Sequence, residues 1–188
     1  MPRSAQATEE FLSRERRLID AARSIAESEG WQAVSVRRLA SEIGFSQPIL
    51  YRHFPRGREE IVERVVLEGF EELAAAVQAP GQGGDVLENI VVGYLRFARL
   101  HPAVYEAMST ALTSIVFASD ETPQVLRDGF DAIKRGVALD DDEKSVVRTE
   151  LLWSLLHGVS QLSRYGRLPA ELEEARVAEI LRLFRPSR

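Results

Sequence analysis

Hydrophobic positions recur at helical spacing along nearly the whole chain, with glycine, proline or acidic residues at the breaks. Alternating strand patterns are nearly absent. The pattern therefore predicts an all-α chain of about nine helices. The first helix spans about 12–29 and ends at Gly30, two short helices lie within 35–54, and a fourth spans about 58–78. Five more helices follow a break rich in glycine and proline at 79–84.

The two short helices can close around one small core. Apolar residues lie at helical spacing on both sides of a central glycine, at Val36, Leu39, Ala40, Ile43, Phe45, Ile49, Leu50 and Phe54. Gly44 can adopt the positive φ that ends the first of these helices. We expect the Ser46 hydroxyl to cap the second helix, with Pro48 in its first turn. The layout favours a helix-turn-helix whose second helix enters a DNA major groove.

The sequence predicts two domains, an N-terminal helix-turn-helix DNA-binding domain at 1–57 and a helical domain at 58–188. The fourth helix carries an apolar stripe from Val62 to Val77, so we expect it to link the reader mechanically to the rest. A change in its tilt would move the recognition helices of a dimer out of register with successive major grooves.

Composition is that of a globular protein, at 45% hydrophobic and 28% charged residues. The net charge of −5 is uneven: residues 1–60 carry ten arginines and nine acids, or +1, and the remainder carries −6. A weakly basic DNA-binding segment attached to an acidic remainder would limit non-specific DNA binding. The alternative is that the uneven charge arises by chance. The chain has no apolar run of membrane-spanning length and no signal-peptide pattern, so we expect a cytoplasmic protein without a membrane partner.

Residues for enzymatic chemistry are scarce. There are no cysteines and three histidines, and the sequence shows no glycine-rich phosphate loop and no carboxylate–histidine cluster at metal spacing. We therefore expect no catalytic residues, no metal and no cofactor.

Residues 33–54, preceded by Glu29-Gly30-Trp31, resemble the DNA-binding domain of the tetracycline-repressor-like (TetR) family. The most specific elements are Leu-Ala-x-x-x-Gly in the turn and Leu-Tyr-x-His-Phe at the end of the second helix, and the resemblance covers roughly 12–70. In the C-terminal part, Trp153 followed by His157 and Gly158 is similar to the signature of one TetR subgroup. The resemblance implies an all-α homodimer in which residues 58–188 form the regulatory and dimerisation domain, which in this family often holds a small molecule.

The function that follows is a homodimeric repressor that binds a palindromic double-stranded DNA operator and is released by a mostly apolar small molecule. Three alternatives stay open. The protein could act as an activator, respond to a protein partner, or be a small all-α enzyme or carrier in which the helix-turn-helix only packs.

Base contacts are expected from the start of the recognition helix, at Ser46, Gln47, Pro48 and Ile49. Gln47 suits adenine, and the two apolar residues suit a thymine methyl group. Arg37 matches a family position that can reach guanine. The alternative for Gln47 is a solvated surface residue.

Phosphate contacts are expected nearby. Many relatives have Pro, one residue, then Lys-Glu after the motif, whereas here an extra residue leaves open whether Arg56 or Arg58 takes that place. For Tyr51 and His53 the alternative is packing against the first and fourth helices. The full predicted DNA-contacting set is Ser35, Val36, Arg37, Ser46, Gln47, Pro48, Ile49, Tyr51, Arg52, His53, Arg56 and Arg58.

Two further sets are predicted after the break. The effector site is expected among Tyr94, Phe97, His101, Tyr105, Met108, Phe117, Trp153 and His157, for which the alternative is ordinary core packing. The apolar excess of the eighth and ninth helices predicts a dimer interface. Its candidate residues are Leu152, Leu156, Val159, Val177, Ile180, Leu181 and Phe184.

Overall fold

The computed structural model describes residues 5–79, 85–110, 120, 122–139 and 141–185. All regular structure in these residues is helical, which confirms the predicted all-α class. The nine α-helices are α1 (Ala5–Glu29), α2 (Val36–Ile43), α3 (Gln47–His53), α4 (Arg58–Gln78), α5 (Val86–Leu100), α6 (Pro102–Ser109), α7 (Gln124–Val137), α8 (Asp142–Arg164) and α9 (Glu173–Phe184). Helix α1 begins earlier than the predicted start near residue 12. Across the described ranges, no helix is long and apolar enough to cross a membrane.

The chain divides into two compact units, each made of two separate stretches of the sequence. The first unit comprises Met1–Gly69 and Ala103–Ile115, and the second comprises Phe70–Pro102 and Val116–Arg188. Helix α4 therefore runs from the first unit into the second, and almost all of α6 belongs to the first unit although α5 belongs to the second. The functional division at residues 57 and 58 stays a prediction.

The core of the first unit forms between α1 and the short helices that follow it. Leu18, Leu39 and Leu50 are fully buried, and Ile61 joins them from α4. The chain reverses after α1 at Gly30, whose φ of 83° is a conformation that glycine adopts without steric cost. These contacts fix the orientation of α2 and α3.

In the second unit, α5 packs against α7, α8 and α9. Close approach to α4 depends on Gly93, because a Cβ there would lie 2.3 Å from the Ala76 carbonyl oxygen. Leu152 and Leu156 of α8 are fully buried, and Tyr94 of α5 is only 1% exposed. Helix α8, whose apolar residues lie on more than one side, thus contributes one face to the core of its own unit.

Candidate nucleic-acid interface

The turn between α2 and α3 has the geometry expected of a helix-turn-helix. The Ser35 hydroxyl caps α2 by accepting from the Arg38 N–H at 3.2 Å. Gly44 adopts a left-handed conformation with φ 71°, and the Phe45 N–H donates to the Ala40 carbonyl at 2.8 Å. These bonds end α2 and turn the chain into α3.

One detail of the turn was predicted wrongly. Ser46 occupies the N-cap position of α3, but its hydroxyl makes no capping hydrogen bond. The Ser46 carbonyl instead accepts from the Ile49 N–H at 3.0 Å and the Leu50 N–H at 3.3 Å. The Ser46 side chain is exposed at the start of α3.

The orientation of α3 is set by two buried anchors, Leu50 and Phe54. Because these residues face the core, Gln47 and Pro48 are exposed and Ile49 is half-buried. The start of α3 therefore presents an amide and a small apolar surface side by side. This combination can pair with adenine and contact a thymine methyl group.

Two adjacent arginines at the start of α2 differ in their partners. Arg38 binds both carboxylate oxygens of Glu29, at 2.9 and 2.6 Å, and this hydrogen bonding lowers the pKa of Glu29. Arg37 is exposed and forms no hydrogen bond or ion pair with the part of the chain that the structure describes. The guanidinium of Arg37 is thus available to DNA without breaking an existing bond.

Tyr51 lies on the exposed side of α3, with 48% of its surface accessible. Its ring packs beside Gly57, where an added Cβ would lie 3.0 Å from Tyr51 Cε1. Gly57 also has a φ of 62°, so both conformation and space favour glycine there. Arg52, the next residue of α3, is exposed as well.

His53 is buried, which is the packing alternative that the sequence left open. Its ring lies 4.0 Å from the Phe11 ring of α1, and its Nδ1 lies 3.7 Å from Glu15 Oε1. Burial lowers the pKa of His53, an effect that the Glu15 carboxylate partly opposes. With its pKa below 6.5, His53 is mostly neutral at pH 7, and its ring packs against Phe11 of α1 in the first unit.

The roles of Arg56 and Arg58 are separated by their surroundings. Arg58 donates from Nε to the Val34 carbonyl and from Nη2 to the Trp31 carbonyl, each at 2.9 Å. Its guanidinium therefore satisfies the backbone that connects α1 to α2. Arg56 is exposed, but Glu59 and Glu63 bind its guanidinium, and Glu60 accepts from its backbone N–H at 3.0 Å.

Two models of known families cover most of the chain. Residues 18–65 match the model of bacterial regulatory proteins of the tetR family, and residues 87–183 match the Tetracyclin repressor-like C-terminal domain. The chain belongs to the TetR family. This family consists of transcriptional regulators and not of enzymes, and α2 and α3 are its DNA-binding helix-turn-helix.

Individual TetR relatives agree with this assignment. The HTH-type transcriptional regulator YobS of Bacillus subtilis is 26% identical over 152 residues, which cover 77% of this chain and 76% of YobS. A tetR-family transcriptional regulator from Streptomyces coelicolor has the same fold, with a TM-score of 0.69, 23% identity and coverage of 92% and 80% of the two chains. A tetR-family regulatory protein from Rhodococcus RHA1 has a TM-score of 0.67, 19% identity and coverage of 93% and 98%.

The residues predicted for a TetR effector site are divided between the two units. Tyr94 and Phe97 are buried in the second unit, and the His101 ring lies 5.1 Å from that of Phe97. Tyr105 and Met108 are buried on α6, in the first unit. Of the remaining residues, Trp153 is 41% exposed, so it does not belong to a closed pocket within one chain. His157 is half-buried, and burial lowers its pKa. Phe117 lies outside the described residues.

The residues predicted for the TetR dimer interface lie mostly inside the protomer. Five are buried within a single chain, Leu152, Leu156, Ile180, Leu181 and Phe184, while Val159 and Val177 are half-buried. Besides Trp153, α8 exposes three large apolar residues that the predicted interface leaves out, Val147, Leu151 and Leu162. They share one face with Leu155 and Gly158, and their regular spacing in the sequence is the signal that would have found them.

Within the described residues, no three histidine, aspartate or glutamate side chains are grouped as a metal site requires.

Proposed function

We propose that this TetR-family regulator is a homodimeric repressor that binds a palindromic operator in the cytoplasm. The observation that carries the proposal is the exposed start of α3, held in place by buried Leu50 and Phe54. Gln47 reads adenine, Pro48 and Ile49 contact thymine methyl groups, and Arg37 of α2 reaches guanine. Arg52, Tyr51 and Ser35 contact phosphates and fix the orientation of α3 on the duplex.

The structure leads us to revise the proposed phosphate contacts. His53 is buried and Arg58 is bound to backbone carbonyls, so neither belongs to the proposed interface. Arg56 remains a candidate because it is exposed, but DNA phosphates must compete with Glu59 and Glu63 for its guanidinium.

The short recognition helix is one reason to propose a dimer. A two-turn recognition helix covers too few base pairs to select one site in a genome, and a second copy related by a two-fold axis doubles the site. We propose that the exposed face of α8 formed by Val147, Leu151, Leu155 and Leu162 packs against the same face of the second copy. A Cβ at Gly158 on this face would meet no atom within 4 Å in a single chain, which leaves room for a partner helix.

Release of the operator is proposed to follow binding of a mostly apolar small molecule. The fourth helix is one route to the reader, since α4 runs through both units. A ligand acts on this equilibrium only through its different affinities for the operator-binding and released conformations.

The test is fluorescence anisotropy with DNA from upstream of the protein's own gene, over a range of salt concentrations. Gln47→Ala should weaken binding to the footprinted operator by about 1–3 kcal/mol, while binding to unrelated DNA stays unchanged. Affinity for the operator should fall steeply with salt because phosphate contacts release counterions. An equal loss on all sequences would show that Gln47 does not read bases, and absence of binding at low salt would contradict the proposal.

A further inference from the structure

A cavity of about 570 Å³ lies in the second unit, between the C-terminal ends of α5 and α8 and the start of α9. Its wall is apolar where Leu95, Ala98 and Val159 line it and cationic at Arg99 and Arg176. This volume is in the range of pockets that bind small molecules. None of the residues predicted for the effector site lines it.

A serine in this wall is an unsatisfied polar group. Ser160 of α8 is 9% exposed, and its hydroxyl has no hydrogen-bond partner in the part of the chain that the structure describes. Thr149, earlier on the same helix, is also buried, but its hydroxyl is satisfied because it donates to the Ser145 carbonyl at 2.7 Å. A buried hydroxyl without a partner costs free energy, so Ser160 gains from any ligand that supplies an acceptor.

The charge in the wall is also unevenly matched. Arg99 is paired with Glu173 at 3.3 Å. Half-buried Arg176 donates to the Pro169 carbonyl at 3.1 Å, and it pairs with no carboxylate of the described residues. By contrast, Arg182 on the same helix binds both oxygens of Glu179. A guanidinium binds an anion more strongly than a neutral carbonyl, so Arg176 can still form a stronger hydrogen bond with an anionic ligand.

We propose that this cavity is the effector site and that it takes a molecule with an apolar body and one carboxylate, a step that rests on the proposed effector response. The carboxylate binds Arg176 and accepts from the Ser160 hydroxyl, and the apolar body lies along Leu95 and Val159. Glu173 in the same wall already pairs with Arg99, so a single carboxylate matches the charge of Arg176, and the apolar wall favours a molecule with an apolar body over inorganic phosphate.

The chain that lines the cavity continues directly into α6, which is hydrogen-bonded to the helices that precede the helix-turn-helix. Pro102 lines the cavity, and its carbonyl accepts from Arg164 Nη1 at 2.8 Å. The next residue, Ala103, belongs to the first unit: its N–H donates to Glu27 at 2.9 Å, and its carbonyl accepts from Trp31 Nε1 at 2.7 Å. A ligand that displaces Pro102 therefore acts on bonds that hold α6 to the helix before the reader. This is a second route beside α4.

The test uses the full chain with decanoate, 1-decanol and inorganic phosphate as probes in isothermal titration calorimetry. Decanoate should bind at least tenfold more tightly than decanol, and phosphate should not bind. Arg176→Gln should weaken decanoate binding at least tenfold and Ser160→Ala several-fold, while the matched control Arg182→Gln leaves it unchanged. Ser160→Ala should not lower the melting temperature of the free protein, because it removes an unsatisfied hydroxyl.

Several results would overturn the proposal: equal affinity for decanoate and decanol, wild-type affinity in Arg176→Gln, or no binding of decanoate. Operator binding without any probe tests the proposed DNA-binding function separately, so the two failures are distinguishable. Saturating decanoate should weaken operator binding in the wild type and not in Glu27→Gln, which keeps decanoate affinity. An unchanged response in Glu27→Gln would overturn the route through Ala103.

Discussion

The recognition helix α3 and the long helix α8 divide their surfaces in different ways. In α3 Leu50 and His53 are buried, as is Phe54 directly after the helix, and the other residues are exposed apart from half-buried Ile49. In α8, Leu152 and Leu156 are buried while Leu151 is exposed, so adjacent apolar residues have opposite surroundings. An apolar side chain therefore identifies the buried face when a helix has one apolar face. It does not when apolar residues surround the helix.

The largest expected effect separates the two apolar faces of α8. Leu156→Ala should lower the free energy of unfolding by about 2–5 kcal/mol, because it leaves a cavity in the core of the second unit. Urea denaturation followed by circular dichroism measures this. A loss below about 1 kcal/mol would mean that Leu156 is not part of a close-packed core.

The second effect concerns the exposed face of α8. Leu151→Glu should convert the dimer to a folded monomer, because it places a charge in the proposed interface between copies. Leu12→Glu on α1 is a matched control, since Leu12 is 57% exposed and Leu151 is 58% exposed. Sedimentation velocity should show a monomer for Leu151→Glu alone. A dimer in both variants would place the interface elsewhere.

The third effect separates two adjacent arginines of the DNA-binding domain. Arg37→Ala should weaken operator binding by about 1–3 kcal/mol, because the Arg37 side chain is exposed and unengaged. Arg38→Ala should have a smaller effect, since Glu29 already binds that guanidinium. Anisotropy titrations on the same operator give both values. Equal losses would remove the distinction between the two positions.

The smallest effect is a pH dependence from buried histidine. The pKa of His53 lies below its ordinary value of 6.5 because the ring is buried. The unfolded chain therefore binds a proton at higher pH than the folded chain does, so stability is full above about pH 6.5 and falls as pH drops. His53→Gln should flatten the change in unfolding free energy between pH 7.5 and 5.5. An unchanged slope would show that His53 does not titrate as a buried group.

The helix-turn-helix could be predicted from sequence because its signals are local. Gly44 adopts the predicted left-handed turn, Leu39 and Leu50 near it are buried, and Gln47 is exposed, as expected. Ile43 and Phe45, on either side of the glycine, were predicted in the core and are only half-buried. The roles of His53 and Arg58 could not be predicted in this way. Their partners are Phe11, Glu15 and the carbonyls of Trp31 and Val34, which are distant in sequence.

The C-terminal helices were harder to interpret for a different reason. Their limits follow local signals, such as Asp141, whose carboxylate accepts from the Lys144 N–H at 3.0 Å at the start of α8. Which apolar face is buried depends on how α5 and α7 pack against α8, and helical periodicity does not contain that information. The same limit applies to the attachment of α6 to the first unit, because Glu27 and Ala103 are 76 residues apart.

The most direct test of a dimeric reader compares its affinity for the whole operator with that for a single half-site, in the wild type and in Leu151→Glu. The wild type should bind the whole operator at least a hundredfold more tightly than the half-site, with two subunits per duplex. Leu151→Glu should bind both DNA molecules with the weak half-site affinity. Equal wild-type affinity for the two, with one subunit bound, would contradict the account.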